Sequence, residues 1–406
     1  MAKRQLSPNL LLILLSVAVF LIFTVIVMLG PLLVDLAKEF RTSVAVTGQL
    51  AAATALTWAL TALLAGPVSD IYGRRLIILV GLILVIIGTL NSALAWNYSS
   101  LLAFRLLTGV GAAVIPPNGI ATVVDIFPPE RRGKALGWLI SAVGLGAAFG
   151  IPTVALLTDV GGWRLPFYVL GTVLLILWGI LWVWFPRSQT QPGYALTFIS
   201  HFREVGSKAA FWYLLTANCL MNMVFMGVSS YLPAYLMQIY RMNAGEIALP
   251  LMLAGLGVIA GSLIGGRVAG HGHRLTLISI SFLVGALVAS LVFTTHISAW
   301  ITVGLSFGTV GLMFVSAPVV VLLLTEFAGQ SRATATGMFV VSNQLGVVGG
   351  ASIGGLMLSL GGFPMVGMFC SAAAATAAVV VRYKVRESAE FIMSTSCGPS
   401  KSPEIQ

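Results

Sequence analysis

The few charged residues that lie within apolar stretches of this chain are the ones that could move protons or bind a charged solute. Arg105 stands inside the apolar run LLAFRLLTGVGAA, where a cation in hydrocarbon costs about 2.5 kcal/mol or more. It should therefore face a cavity or a partner, unless its side chain snorkels to the membrane surface. Asp35 lies near the end of the first apolar run, and a charged helix end is its simplest interpretation. If Asp35 tilts inward, Arg105 is its natural partner, and the pair could exchange a proton for a bound solute.

A second group of charges lies in the ten-residue segment GPVSDIYGRR, between two apolar runs. We expect a short loop held at a membrane surface. Asp70 and Arg74 are four residues apart, so on a continuing helix they would share a face and could pair. A basic surface loop explains Arg74 and Arg75, but it explains neither Asp70 nor the glycines Gly66 and Gly73, which permit close approach of the backbone.

Amide side chains inside the apolar runs are the candidates for contact with a solute. Asn218 and Asn222 are spaced to share one helical face, beside Met223. The remaining candidates are Asn118, Asn343 and Gln344. Hydrogen bonding between helices is the alternative, because buried amides need partners. A cavity lined by amides, methionines and aromatic rings would suit a moderately hydrophobic solute that is neutral or weakly charged.

The composition indicates that these residues are carried by membrane-spanning helices. Of 406 residues, 58% are apolar and 8% are charged, whereas about a quarter of the residues of a soluble protein are charged. About 20 apolar residues span a bilayer, and twelve runs of about that length can be placed. They are 9–33, 44–66, 76–96, 100–124, 135–157, 165–185, 210–237, 246–266, 275–295, 299–324, 333–358 and 364–382.

The distribution of basic residues predicts the orientation of the chain. They recur in the loops on one side, and the positive-inside rule places these loops and both termini in the cytoplasm. The net charge of +10 is spread along the chain, so nucleic-acid binding is not indicated. The first apolar run continues to about Leu33 without a cleavage site, so we expect a retained helix. Cys219, Cys370 and Cys397 suggest neither a disulfide framework nor a metal site.

An internal repeat divides the chain into two halves. The segment RGKALGW at 132–138 aligns with RATATGM at 332–338, and glycines at 146, 150 and 161 have counterparts 200 residues later. Shifted by one residue, Arg75 aligns with Arg274. We therefore expect an all-α membrane protein with two pseudo-symmetric six-helix bundles, 1–186 and 209–386. A cytoplasmic linker, 187–208, joins them, and a disordered tail, 387–406, follows.

These motifs resemble those of the major facilitator superfamily. The segment GPVSDIYGRR resembles the loop between the second and third helices of that family. The fifth run, AVGLGAAFGIPTVALL, resembles the antiporter motif of the drug:proton antiporter branch, and more closely its variant in arabinose and sugar exporters. Its candidate packing residues are Gly144, Gly146, Gly150 and Pro152.

The resemblance implies roles for individual residues. Asp70 and Arg74 would join Asp125, at the cytoplasmic end of the fourth helix, in a latch that closes the cytoplasmic face. Arg105 would belong to the motif of the fourth helix that is linked to proton transfer and substrate binding. In the second half, Ala269 stands in place of Asp70, so we expect a weaker or rewired latch, with Arg267 a candidate partner of Glu326.

We expect a monomeric secondary transporter that exports a small organic molecule across the cytoplasmic membrane in exchange for protons, as in drug efflux. An exporter or facilitator of sugars or other metabolites is the alternative within this class. A lipid-translocating protein or a membrane sensor that transports nothing is the alternative from another class. The sequence has no phosphate-binding loop, zinc-ligand spacing or catalytic Ser/His/Asp set. We therefore expect no enzyme activity, no cofactor and no metal.

Overall fold

The computed structural model describes residues 7–186, 206–269, 272–328 and 332–385, and in these residues the chain forms helices and no strand. In the first half, a π-helical turn at Gly146–Gly150 joins α7 to α8. The helices there are α1 Pro8–Val27, α2 Leu29–Glu39, α3 Val44–Tyr72, α4 Arg74–Ala93, α5 Tyr98–Ala113, α6 Ile115–Ile126, α7 Pro129–Leu145, α8 Ile151–Gly161 and α9 Arg164–Trp184.

The second half repeats this arrangement with longer uninterrupted helices. Its helices are α10 Ala209–Ile239, α11 Ala248–Ala269, α12 Arg274–Val292, α13 Ala299–Phe314, α14 Ser316–Ala328 and α15 Arg332–Val379, followed by a π-helical segment Val380–Val385. The predicted tail, 387–406, and most of the predicted linker, 187–205, lie outside the described residues.

Eleven helical stretches of the described chain are long and apolar enough to cross a membrane. The last stretch, Gly337–Val385, is 49 residues long and reverses at Gly361 and Gly362, where φ is −151° and +72°. Before this point α15 runs beside α10, with Gly350 against Met223. After it the chain returns, with Cys370 against Gly227. It is therefore long enough for two spans, and all twelve predicted spans fall on helices.

Three of the spans are broken near their middle. The first breaks at Met28, the fourth at Val114, just before Pro116 and Pro117, and the tenth at Val315. Proline lacks an amide hydrogen and clashes with the preceding helical turn, which accounts for the break in the fourth span. Breaks in the middle of a span leave backbone carbonyl groups free to bind side chains.

The backbone itself shows the internal repeat. Arg41 and Arg241 both adopt a positive φ, 49° and 55°, and Gly162 and Gly362 do so at 70° and 72°. Each pair is 200 residues apart. Non-glycine residues rarely adopt positive φ, so the same unusual conformation at equivalent positions indicates two copies of one fold.

The ends of the helices lie on two opposite faces. Arg74 at the start of α4 pairs with Asp125 near the end of α6, and Arg75 bonds to Trp182 near the end of α9. We call this the terminal face, because α1 begins there and the described chain ends there. The other side, where Tyr98 at the start of α5 bonds to Val46 at the start of α3, is the far face.

Exposed tryptophans lie near both faces. Trp96 and Trp300 lie at the far face and are 75% and 56% exposed, and Trp182 and Trp184 lie at the terminal face and are 54% and 42% exposed. Tryptophan prefers the two interfaces between bilayer and water. This pattern accords with a bilayer around the helices.

The two halves meet from mid-height to the far face, along contacts that we call the far-face seam. Gln49 Nε2 donates to the carbonyl oxygen of Ser352 at 3.3 Å, and Tyr231 lies directly over Gly48. A cavity of about 20 Å³ lies between the halves beside this seam, with Ile151 and Phe225 among its lining residues, which is room for about one water molecule. This cavity is too small to hold an organic solute.

Candidate functional site

The sequence suggested a loop at 66–75. The structure instead has two helices in this segment, joined by a turn of one residue. The helix α3 continues to Tyr72 and α4 begins at Arg74, with Gly73 between them at φ 85°. Glycine reaches this φ without strain, so the chain reverses within a single residue. Asp70 and Arg74 therefore lie on different helices, so the condition for their pairing on one continuing helix is not met. Gly66 and Asp70 lie on α3, but their side chains are outside what the structure describes.

Arg74 and Arg75 tie the start of α4 to two other helices of the first half. The Arg74 guanidinium pairs with Asp125 and donates to the carbonyl oxygen of Ala121 at 2.7 Å. Arg75 donates to the carbonyl oxygen of Trp182 at 2.6 Å. These bonds hold three helix ends of the first half together at the terminal face.

The second half has an equivalent ion pair. Arg274 donates to both carboxylate oxygens of Glu326, at 3.1 and 2.7 Å, so the partner of Glu326 is Arg274 and not Arg267, the candidate from the sequence. Arg274 begins α12 as Arg74 begins α4, so the two correspond 200 residues apart, not at the shifted register. Two parallel bonds make this arginine–carboxylate geometry specific.

Arg105 is completely buried, so it does not snorkel to the surface. Its Nη2 donates to the carbonyl oxygen of Val25 at 2.9 Å, and its Nε donates to Thr54 Oγ1 at 3.2 Å. In a continuous helix, the carbonyl of Val25 would accept the amide of Leu29, but the break at Met28 lies between them. The break thus places a carbonyl group where the guanidinium can use it.

Arg105 has no carboxylate partner in the described part of the chain. Its Nη1 forms no hydrogen bond there. Asp35, which is partly exposed in α2, forms no ion pair with any described residue. The conditional pairing of Asp35 with Arg105 is therefore not formed in this conformation.

The amides of α10 and α15 form a network at mid-height of the second half. Asn218 Nδ2 donates to Ser342 Oγ at 2.6 Å and to Asn343 Oδ1 at 2.5 Å. Asn222 Nδ2 donates to the same Asn343 oxygen at 3.0 Å. Asn218 Oδ1 and Gln344 Oε1 are buried and have no partner among the described residues. The hydrogen bonds between helices that the sequence allowed are therefore present, and these two oxygens take no part in them.

Two further candidates lie apart from this network. Asn118 donates to the carbonyl oxygen of Val114 at 2.6 Å, at the break in the fourth span, so it bonds the backbone of its own span. The Met223 side chain lies against Gly349, on the side of α10 that faces α15.

The glycines of the fifth span lie against the first helix. Cβ atoms built on Gly146 and Gly150 would overlap Phe23 and Thr24. A Cβ at Gly144 would stand 3.7 Å from Ile259 in the second half. Pro152 follows the π-helical turn directly, within a continuous run of helical residues, where a proline removes one backbone hydrogen bond.

A second row of glycines was not singled out from the sequence. Gly257, Gly261 and Gly265 of α11 are four residues apart and lie against the carbonyl oxygens of Phe307, Gly311 and Val315. Small residues at this spacing let membrane helices approach closely. The spacing GxxxGxxxG was the available signal.

Comparison with known proteins agrees with this geometry. The profile of the Major Facilitator Superfamily matches residues 15–348. The uncharacterized MFS-type transporter YceJ of Bacillus subtilis (strain 168) is 31% identical over 83% of this chain and 86% of its own. Multidrug resistance protein 3 of the same organism is 26% identical over 71% of this chain and 68% of its own.

A solved structure has the same fold. It is a bacterial homologue of the human lysosomal transporter Spinster in an inward-facing, unoccupied conformation, with a TM-score of 0.71 and 19% identity. The alignment covers 97% of this chain and 99% of that one. The helices, their internal repeat and the matched profile lead to one conclusion: this chain belongs to the major facilitator superfamily.

Proposed function

We propose that this protein exports a small, moderately hydrophobic organic molecule across the cytoplasmic membrane by alternating access, in exchange for protons. One observation carries the proposal. The two halves are joined from mid-height to the far face, whereas the described ion pairs of the terminal face stay within one half. Two bundles joined at one face can rock about the site between them.

The direction and the class of solute rest on orientation and on relatives. Basic residues at the terminal face make it cytoplasmic by the positive-inside rule, with both termini there. The multidrug resistance protein among the relatives supports export of a hydrophobic molecule. Sugars and other metabolites are the second candidate, since the amide network offers hydrogen bonds that such molecules use.

The ion pairs at the terminal face are proposed to act as gate elements. Arg74 with Asp125, and Arg274 with Glu326, hold the helix ends of each bundle as one body. Asp70 lies in the last turn of α3 at the terminal face, and its place in the motif assigns it to the same gate. Substitution Asp70→Asn should therefore reduce turnover without preventing insertion, and unchanged transport would remove this gating role.

Proton exchange is assigned to Asp35, the deeper of the two acids in the first span. Transport into proteoliposomes should be measured for a panel of solutes with and without an imposed pH gradient. Flux by Asp35→Asn should lose its dependence on the gradient, while Glu39→Gln, which changes a nearby acid that pairs with Arg164 at 2.9 Å, should retain it. Wild-type flux that ignores the gradient would indicate facilitated diffusion and contradict the exchange mechanism.

A further inference from the structure

We propose that the amide network between α10 and α15 binds a hydrogen-bond donor of the transported molecule, a hydroxyl or an ammonium group, through Asn218 Oδ1 and Gln344 Oε1. The inference rests on the proposed transport function and specifies the chemistry of its substrate.

The orientation of the amides is set by neighbouring groups that can only accept. The Ser342 hydroxyl donates to the carbonyl oxygen of Phe339 at 2.8 Å, so its oxygen is left to accept from Asn218 Nδ2. The carbonyl oxygen of Asn218 can only accept, and Asn222 turns its Nδ2 toward it at 2.9 Å. Both nitrogens also share Asn343 Oδ1. As a consequence, Asn218 must turn its own Oδ1 away from these partners.

Two acceptor oxygens therefore remain without a partner in the described chain. Asn218 is fully buried and Gln344 is 9% exposed. A buried oxygen without a hydrogen bond is destabilising, so a group that donates to it is bound favourably. Gln344 shares a helical face with Val348 and Ala351, which pack against the core of the first half. This face looks toward the boundary between the halves.

The first half serves as an internal comparison, because it packs the same pair of helices without amides. Positions 200 residues before the network hold only apolar residues: Ala18, Ile22, Ala142, Val143 and Gly144. There α1 still packs against the fifth span through Gly146 and Gly150 of the π-helical turn, as α10 and α15 pack through Gly346 and Gly350. Packing of these two helices does not require the network. Buried polar groups that the fold does not need indicate a functional site.

The network selects for a donor at one point. The amide nitrogens of Asn218 and Asn222 are already used inside it, so Asn218 Oδ1, which they leave over, can only accept from a ligand. No carboxylate belongs to the network. A hydroxyl and an ammonium group fit equally well, and they are distinguished by experiment.

Three matched probes test the proposal on the full chain in detergent by calorimetric titration. They are 3-phenylpropan-1-ol, 3-phenylpropylammonium and 1-methoxy-3-phenylpropane, which share an apolar body and differ in the donor. The wild type should bind the alcohol or the ammonium about tenfold more tightly than the ether, since one hydrogen bond is gained. The tighter of the two identifies the donor.

The preference should disappear in Asn218→Leu and in Gln344→Met. Should Asn218→Leu fail to fold, Gln344→Met gives the same test, because Gln344 lies outside the bonded network. Asn91→Leu, which removes an amide that bonds only to Ile87 of its own helix, should keep the wild-type preference. Equal binding of the ether and both donors by the wild type, or a preference that survives in both variants, would overturn the proposal.

The two proposals fail in different ways. If the wild type moves no solute in proteoliposomes but still prefers the donor probes, the proposed transport function is contradicted and the binding inference is not. If the wild type transports a solute but Asn218→Leu and Gln344→Met keep the donor preference, the substrate inference is contradicted and the transport function is not.

Discussion

At the scale of single residues, Arg105 combines complete burial with a hydrogen-bond set that holds no negative charge. An uncompensated buried charge is costly, and it is retained here by one backbone carbonyl and one hydroxyl group. The sequence predicted that Arg105 would face a partner. Pro31, three residues after Met28, is a sequence signal for a break, but it could not identify Val25 as the partner, because the carbonyl that the guanidinium reaches depends on how the helices pack.

Replacing Arg105 with lysine separates its geometry from its charge. Lysine places its charge on one nitrogen and has no fork, so Arg105→Lys cannot present separate nitrogens to Val25 and Thr54 as Arg105 does. We expect transport to fall at least tenfold, since each bond to a charged group contributes about 1.5–3 kcal/mol. Uptake of an identified substrate into proteoliposomes measures this. Wild-type uptake by Arg105→Lys would show that charge alone suffices.

Arg105→Met provides the control for folding. It removes the charge but keeps an unbranched side chain, and replacing a buried charge with an apolar group is often neutral or stabilising. Its melting temperature should equal or exceed that of the wild type, while its transport is lost. A large fall in melting temperature would instead make Arg105 a structural residue.

At the scale of helices, α11 and α13 are held together by a row of glycines. Gly261 lies against the carbonyl oxygen of Gly311, and Gly265 lies against that of Val315. A methyl group at either position would overlap the backbone of the other helix. Backbone cannot move aside as a flexible side chain can, so this contact requires glycine.

A matched pair of substitutions tests the glycine row. Gly261→Ala should destabilise the protein by about 1–3 kcal/mol, the usual cost of overpacking. Gly266→Ala, five residues later on the same helix and with no atom within 4 Å, should leave the melting temperature unchanged. Equal melting temperatures for the two variants would show that the helices can separate at little cost.

Sequence reasoning placed the spans well and the helix ends less well. Apolar length indicates the thickness of the hydrocarbon, not the length of the helix. The span predicted at 44–66 is the apolar part of α3, which continues through polar residues to Tyr72. Likewise, the ion pair of Glu326 with Arg274 joins residues 52 positions apart, and which of two nearby arginines it selects depends on packing.

At the scale of the molecule, the far-face seam holds the two halves in one arrangement. Gly48 admits the ring of Tyr231, Gly245 admits the carboxylate of Asp159, and Gln49 bonds to Ser352. They belong to a larger apolar interface, in which Leu33 and Ile151 of the first half pack into the core of the second, and alternating access requires this interface to separate. The described terminal-face ion pairs stay within one half and would be unaffected by such a separation.

Cross-linking the seam should stop transport. In a chain without its native cysteines, Gln49→Cys and Ser352→Cys joined by a short thiol-specific reagent should lose flux and regain it on reduction. The control pair Val46→Cys and Tyr98→Cys lies at the same face but within one half, and its cross-link should leave flux unchanged. Inhibition by both cross-links would point to general damage and not to a moving seam.

The most direct test of alternating access measures distances at both faces. Spin labels at Val160 and Leu360, which are 83% and 67% exposed, report on the far face. Labels at Gly137 and Gly337, both with open space around them, report on the terminal face. We predict two distance populations for each pair, such that conditions that lengthen the far-face distance shorten the terminal-face distance. A single distance at each face, unchanged by pH or by a transported solute, would contradict the account.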